Sequence, residues 1–95
     1  MKADDKEYKI QYEKQFIEDV QAHKKAGQKS VIAKINSLIE ELRKHPTTGT
    51  GIPESLIGDR KGQWSRRITQ RHRLIYEIQE DVVIVVLISA WGHYE

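Results

Sequence analysis

Residues 64–91 read WSRRITQRHRLIYEIQEDVVIVVLISAW, and three apolar runs can be cut from them at 64–69, 72–78 and 82–91. The breaks, Gln70-Arg71 and Gln79-Glu80-Asp81, are too short for any crossover, so the runs are expected to lie side by side as an antiparallel meander. The third run is the most apolar and is expected to be central in the sheet. If Trp64, Ile68, Leu74 and Tyr76 point to a core, alternation sends Arg67 and Arg73, on neighbouring strands, to the opposite face. Arg66 and Arg67 cannot both face the same way.

Outward from the meander, the N-terminal half supplies the second layer. Tyr8, Ile10 and Tyr12 alternate with polar residues, which predicts a short first strand with one buried face. Phe16, Ile17 and Val20 suit a helix over 13–26, ended by Ala26-Gly27. Val31, Ile32, Ile35, Leu38, Ile39 and Leu42 form the apolar stripe of a second helix that Pro46 terminates. The order βααβββ predicts an α+β two-layer sandwich in one domain over 1–95, with a helical hairpin on one sheet face and the other partly open.

Between the helices and the meander, residues 47–62 contain glycines at 49, 51, 58 and 62 and Pro53. A long loop in so small a domain is usually functional, and Glu54 sits in its middle. Beyond the last strand come His93 and Tyr94, an imidazole and a phenol suited to proton transfer and base stacking. Glu54, Arg73 and His93 together offer a base, a cation and an acid for phosphate chemistry. RNA brings its own nucleophile, the 2′-hydroxyl, so these three groups suffice in principle for a ribonuclease without a metal. No cofactor is expected. His45 and His72 have no metal-ligand spacing, and Trp64, Tyr76 and Trp91 are expected to pack in the core or at its rim.

Composition narrows the choices further. The chain has no cysteine, which excludes disulfides, thiolate metal sites and cysteine nucleophiles. The charged start and the lack of a long apolar run predict a soluble, cytoplasmic protein with no membrane partner. A net charge of +2 says little by itself, but residues 60–73 hold Arg60, Lys61, Arg66, Arg67, Arg71 and Arg73 with no acid. Lys61, Arg66, Arg67 and Arg71 are therefore expected to form an RNA- or ribosome-binding surface.

Four segments carry a resemblance to a known family: GIPESL at 51–56, GQWSRRIT at 62–69, HRLIY at 72–76 and GHY at 92–94. Together they resemble the YoeB (Txe) toxins of the RelE/ParE superfamily, from the second helix onward. The resemblance implies a RelE/ParE-like fold and a toxin of a type II toxin-antitoxin system. Such a toxin cleaves mRNA in the A site of the 70S ribosome, inhibits translation and is neutralised by a YefM/Phd-type antitoxin; a homodimer stays open. It implies Glu54 as general base, Arg73 as phosphate-binding arginine, His93 as general acid and Tyr94 as the family's terminal tyrosine. This chain departs from the family pattern in its longer charged start, in Glu95 beyond the His-Tyr pair, and in Ile57 where a basic residue can stand. The alternative is a ParE-like toxin that binds and poisons DNA gyrase without chemistry of its own.

Overall fold

The computed structural model describes residues 7–60 and 62–92. Strand β1 (Lys9–Tyr12) leads into helices α1 (Lys14–Lys25) and α2 (Lys29–Leu42). Then follow β2 (Glu54–Ser55), a 3-10 turn at Gly58–Arg60, β3 (Gln63–Arg67), β4 (Arg73–Gln79) and β5 (Ile84–Ser89). The five strands form one sheet in the order β1-β5-β4-β3-β2. The expected α+β sandwich with its meander is present, but the sheet is mixed, because β1 pairs with β5 in parallel. Among the described residues, no helix is long and apolar enough to cross a membrane.

Alternation assigns the two faces. Ile68, Leu74, Tyr76, Val85 and Leu87 share the core with Phe16, Val31, Ile35, Leu38, Ile39 and Leu42 of the helices. The helices separate at Gly27, whose φ of 70° is the left-handed turn that commonly ends a helix. On α1 the buried residues are Phe16, Asp19 and His23, with Val20 packed beside them. That is helical spacing i, i+3, i+4, i+7, rotated from the expected apolar face, so that Ile17 is left exposed.

Two strand ends also differ from expectation. Val82 and Val83 belong to the β4–β5 turn, where Val83 takes a φ of 56° and its N–H bonds the Glu80 carbonyl at 3.3 Å. Ladder pairing with β4 starts at Ile84 and stops at Ser89, so Trp91 lies past the strand. The last strand is interior as expected, although the middle place in the sheet belongs to β4.

Arg66 corrects the sequence reading most sharply. Expected at the RNA-facing surface, it is 0 % exposed, because it shares the inward face of β3 with Trp64 and Ile68. A guanidinium has five N–H donors, and all of them are used. Nε donates to the Tyr76 hydroxyl at 3.1 Å; Nη1 donates to Glu41 Oε1 at 2.9 Å and the Thr50 carbonyl at 3.1 Å. Nη2 donates to the carbonyls of His45 and Thr48. Tyr76 in turn donates to the Pro46 carbonyl at 2.7 Å, and burial pushes its phenol pKa up. Arg66 and Tyr76 thus fasten residues 45–50, the approach to β2, onto the sheet.

Bonds from the Thr50 side chain hold the Glu41 carboxyl below the usual carboxylate range, against desolvation, which acts the other way; the Thr50 N–H and the Arg66 guanidinium add to the lowering. A lowered folded-state pKa gives stability that is complete above the ordinary carboxylate pKa and is lost as the pH falls through the lowered value. Glu41→Gln is therefore expected to flatten the acid limb of the stability–pH curve below about pH 4, as measured by urea denaturation. Arg66→Lys, with three donors instead of five, leaves at least two buried acceptors unpaired and should cost about 2–4 kcal/mol in the same assay.

Candidate active site

The sheet face away from the helices brings together Glu54, Arg67 and Arg73 of the residues singled out in the sequence. Register fixes who shares it. Glu54 pairs with Ser65, Ser65 with Ile75, and Ile75 with Ser89, so these four form one row across β2, β3, β4 and β5. Two residues further along β3, Arg67 pairs directly with Arg73 of β4. Directly paired residues project to the same side of a sheet, and Arg67 and Arg73 stand on the side of Glu54. Strand spacing of about 4.8 Å and a rise of about 3.4 Å per residue put the Glu54 and Arg73 backbones about 12 Å apart.

Glu54 sits in β2, a two-residue edge strand inside the expected loop, and is exposed. Its place is fixed from both sides. Gly51 accepts the Arg67 N–H through its carbonyl at 2.6 Å, and Leu56 N–H bonds the Gln63 carbonyl at 2.8 Å. Gly51 has a φ of 87°, and a Cβ there would lie 2.9 Å from the Arg67 carbonyl oxygen, so only glycine allows this approach of loop to strand. Ile52, next in the chain, holds a φ of 53° although it is β-branched, an uncommon conformation that marks a tightly constrained segment. Among the described residues, Glu54 makes no ion pair.

Arg67 is exposed, whereas Arg73 is half-buried and lies over the β3–β4 turn. Nη1 of Arg73 donates to the carbonyls of Thr69 at 3.0 Å, His72 at 3.4 Å and Gln70 at 3.5 Å. Among the described residues nothing bonds its Nε or Nη2. Like charges directly opposite on adjacent strands are destabilising, so the Arg67–Arg73 pair makes physical sense where an anion sits between the two guanidiniums. Arg71, exposed at the turn, lines a cleft of about 360 Å³ with Gln28, His72, Trp91 and Gly92. The backbone N–H of Arg73 donates to the Gly92 carbonyl at 2.9 Å, which brings the chain after β5 to the start of β4. Lys61, His93 and Tyr94 lie outside the described residues.

Sequence reasoning passed over Asp19 and His23 on the inner side of α1 and weighed His72 only as a metal ligand. Each is at least nine-tenths buried. Their signal was the helical spacing of Asp19 and His23 with Phe16, legible only if an inward face is allowed to carry polar groups.

Comparison with known proteins agrees with this architecture. The sequence profile of the family described as YoeB-like toxin of bacterial type II toxin-antitoxin system matches residues 12–94. Toxin YoeB of Escherichia coli K12 is 44% identical over 57 residues, 60% of this chain and 68% of that protein. The YoeB/ParE toxin from Agrobacterium tumefaciens superposes with a TM-score of 0.84 at 32% identity, covering 90% of this chain and 99% of the other. The heterotetrameric YoeB-YefM toxin-antitoxin complex from Staphylococcus aureus contains a chain that superposes with a TM-score of 0.78 at 30% identity, over 92% of this chain and 98% of the other.

If Arg67 and Arg73 form an anion site, Arg67→Ala should separate stability from binding. Relief of the like-charge pair is expected to leave the free protein as stable as the parent or up to about 1 kcal/mol more so. The rise in Tm that inorganic phosphate gives the parent should shrink in the variant, as read by thermal denaturation with and without phosphate.

Proposed function

The chain belongs to the YoeB-like toxins of bacterial type II toxin-antitoxin systems, and from that premise we propose that it is an endoribonuclease that cuts mRNA in the ribosomal A site. The observation that carries this reading is the placement of a fixed carboxylate, Glu54, on the same side of the sheet as the cross-strand pair of Arg67 and Arg73. In the proposed reaction Glu54 takes the proton from the 2′-hydroxyl, and that oxygen attacks the adjacent phosphorus. Negative charge gathers on the phosphoryl oxygens, where Arg73, with Arg67 beside it, offers donors aimed at the developing charge. The bond to the 5′-oxygen breaks, and His93, which follows Gly92 in the sequence, supplies the proton to the leaving group. The products are a 2′,3′-cyclic phosphate and a 5′-hydroxyl.

Tyr94 is assigned to substrate placement, where a phenol ring stacks on a base. No metal or other cofactor enters the proposed steps. Lys61, Arg67 and Arg71 are assigned to RNA or ribosome contact. Arg66, with all five donors engaged inside the protein, leaves that set. The antitoxin is proposed to be of the YefM kind, supported by the YoeB-YefM complex from Staphylococcus aureus. An acidic segment laid across the basic open face would neutralise the toxin by covering Glu54 and Arg73.

Purified protein on programmed ribosomes tests the assignment. Glu54→Gln and His93→Gln are each expected to lower the single-turnover cleavage rate by about a hundredfold to ten-thousandfold while ribosome binding persists. Arg73→Ala should also slow the cut. Arg67→Ala combined with Arg71→Ala should weaken binding and flatten its dependence on salt concentration. No cleavage by the parent protein, or parent-like rates in the Glu54 and His93 variants, would overturn the nuclease reading in favour of a gyrase-binding toxin.

A further inference from the structure

Residues 90–92 leave the sheet, yet two of the three have both backbone polar groups bonded. Ala90, just past the last ladder residue of β5, donates its N–H to Asp19 Oδ2 at 2.8 Å, and its carbonyl is 2.9 Å from His23 Nε2. Asp19 and His23 are four residues apart on α1, one above the other on its inner face, and they stand where a neighbouring strand would otherwise bond. Gln15, one turn earlier, donates Nε2 to Asp19 Oδ1 at 2.8 Å and so orients the carboxylate. Gly92 is gripped from the other side. Its N–H donates to His72 Nδ1 at 2.9 Å, and its carbonyl accepts the Arg73 N–H at 2.9 Å. Between them the Trp91 indole stacks on His23 at 4.5 Å and leans on His72 at 4.8 Å, while the two imidazoles meet edge to face at 4.7 Å.

The protonation states follow from the partners. A carbonyl only accepts, so His23 Nε2 carries a proton; the Gln28 side-chain amide, 2.7 Å from Nδ1, has both a donor and an acceptor to offer. His72 Nδ1 accepts from Gly92 and therefore carries no proton. Both rings are nine-tenths or more buried, and the nuclease reading gives neither of them a chemical task. What they do is hold the main chain immediately before His93.

We propose that Asp19, His23 and His72 are positioning residues for the reaction, which clamp Ala90 and Gly92 and so hold the chain that leaves β5 against the start of β4 beside Arg73. The proposal rests on the nuclease reading, and it adds to it a set on α1 and in the β3–β4 turn that touches no substrate. A misplacement of about 1 Å is enough to slow a reaction roughly a hundredfold.

His72→Leu removes the acceptor for the Gly92 N–H while filling the space, and His72→Asn offers Oδ1 in place of Nδ1. Two measurements are made on each: amide hydrogen exchange of Gly92 by NMR, with Leu87 and Tyr76 as reference for the intact sheet, and single-turnover cleavage against ribosome concentration. In His72→Leu the Gly92 amide is expected to exchange at least about tenfold faster, and the maximal cleavage rate to fall about ten- to hundredfold with the half-saturating ribosome concentration unchanged. His72→Asn should restore both. Asp19→Ala tests the helix side in the same way, with the Ala90 amide as reporter. Parent-like Gly92 exchange in His72→Leu, or faster exchange beside an unchanged cleavage rate, overturns the clamp and leaves the nuclease reading standing. Absence of cleavage by the parent protein overturns the nuclease reading and the catalytic role of the clamp together; the exchange data then still report whether His72 holds Gly92.

Discussion

A single buried guanidinium organises this protein. Taking the Arg66 cation out of water carries a large desolvation cost, which is offset only when every donor finds an acceptor and a countercharge is close. The last turn of α2 and the loop after it supply that surrounding shell, with the Glu41 carboxylate and the carbonyls of His45, Thr48 and Thr50 converging on the guanidinium. The obligation runs both ways. Backbone carbonyls at such density need a donor just as much as the guanidinium needs acceptors, so loop and strand fold as one unit. Gly49 shows how close the fit is, since a Cβ there would fall 2.4 Å from Glu41 Oε1.

The neighbouring residue inverts this chemistry. Arg66 and Arg67 are adjacent in the sequence and opposite across the sheet: the inner arginine fixes the loop that bears Glu54, and the outer one faces Arg73 across the strand pair. Gly51 links the two roles, because its carbonyl takes the Arg67 N–H while the residues just before it are held by Arg66. The carboxylate and the cationic pair are thus placed by one stretch of backbone. A surface that displays unmatched positive charge rests on an interior in which the same charge is fully matched.

Helical spacing in 31–42 and the three apolar runs of 64–91 made most of the fold legible, since burial of one face is what those periods encode. The family motifs pointed to Glu54 and Arg73 and the basic run pointed to Arg67, and strand alternation put Arg67 and Arg73 on one face, where they pair. Alternation with Trp64 and Ile68 put Arg66 on the inward side, but it could not show that a full set of acceptors waits there, because three of the five are backbone carbonyls that any sequence contains. The rotation of α1 was hidden for a related reason. Ile17 outranks Asp19 and His23 on any hydropathy scale, yet the helix buries the polar pair because Ala90 needs partners beyond the end of the β5 ladder. Bonds such as Asp19 to Ala90, 71 residues apart, leave no local trace in the chain.

The parallel pairing of β1 with β5 has a bearing on how the molecule comes into being. The first strand made has its register set by Ile84–Leu87, and it waits through the synthesis of two helices and three strands before that partner exists. Contacts of such long sequence separation carry the full entropy of loop closure and slow the folding step that completes them. Asp19 and His23 wait equally long for Ala90. Assembly is therefore ordered from the helical hairpin and the β3–β4 pair, whose contacts are local, toward a final closure that joins the two ends of the described chain. The sheet cannot be completed until β5 has left the ribosome that synthesises it.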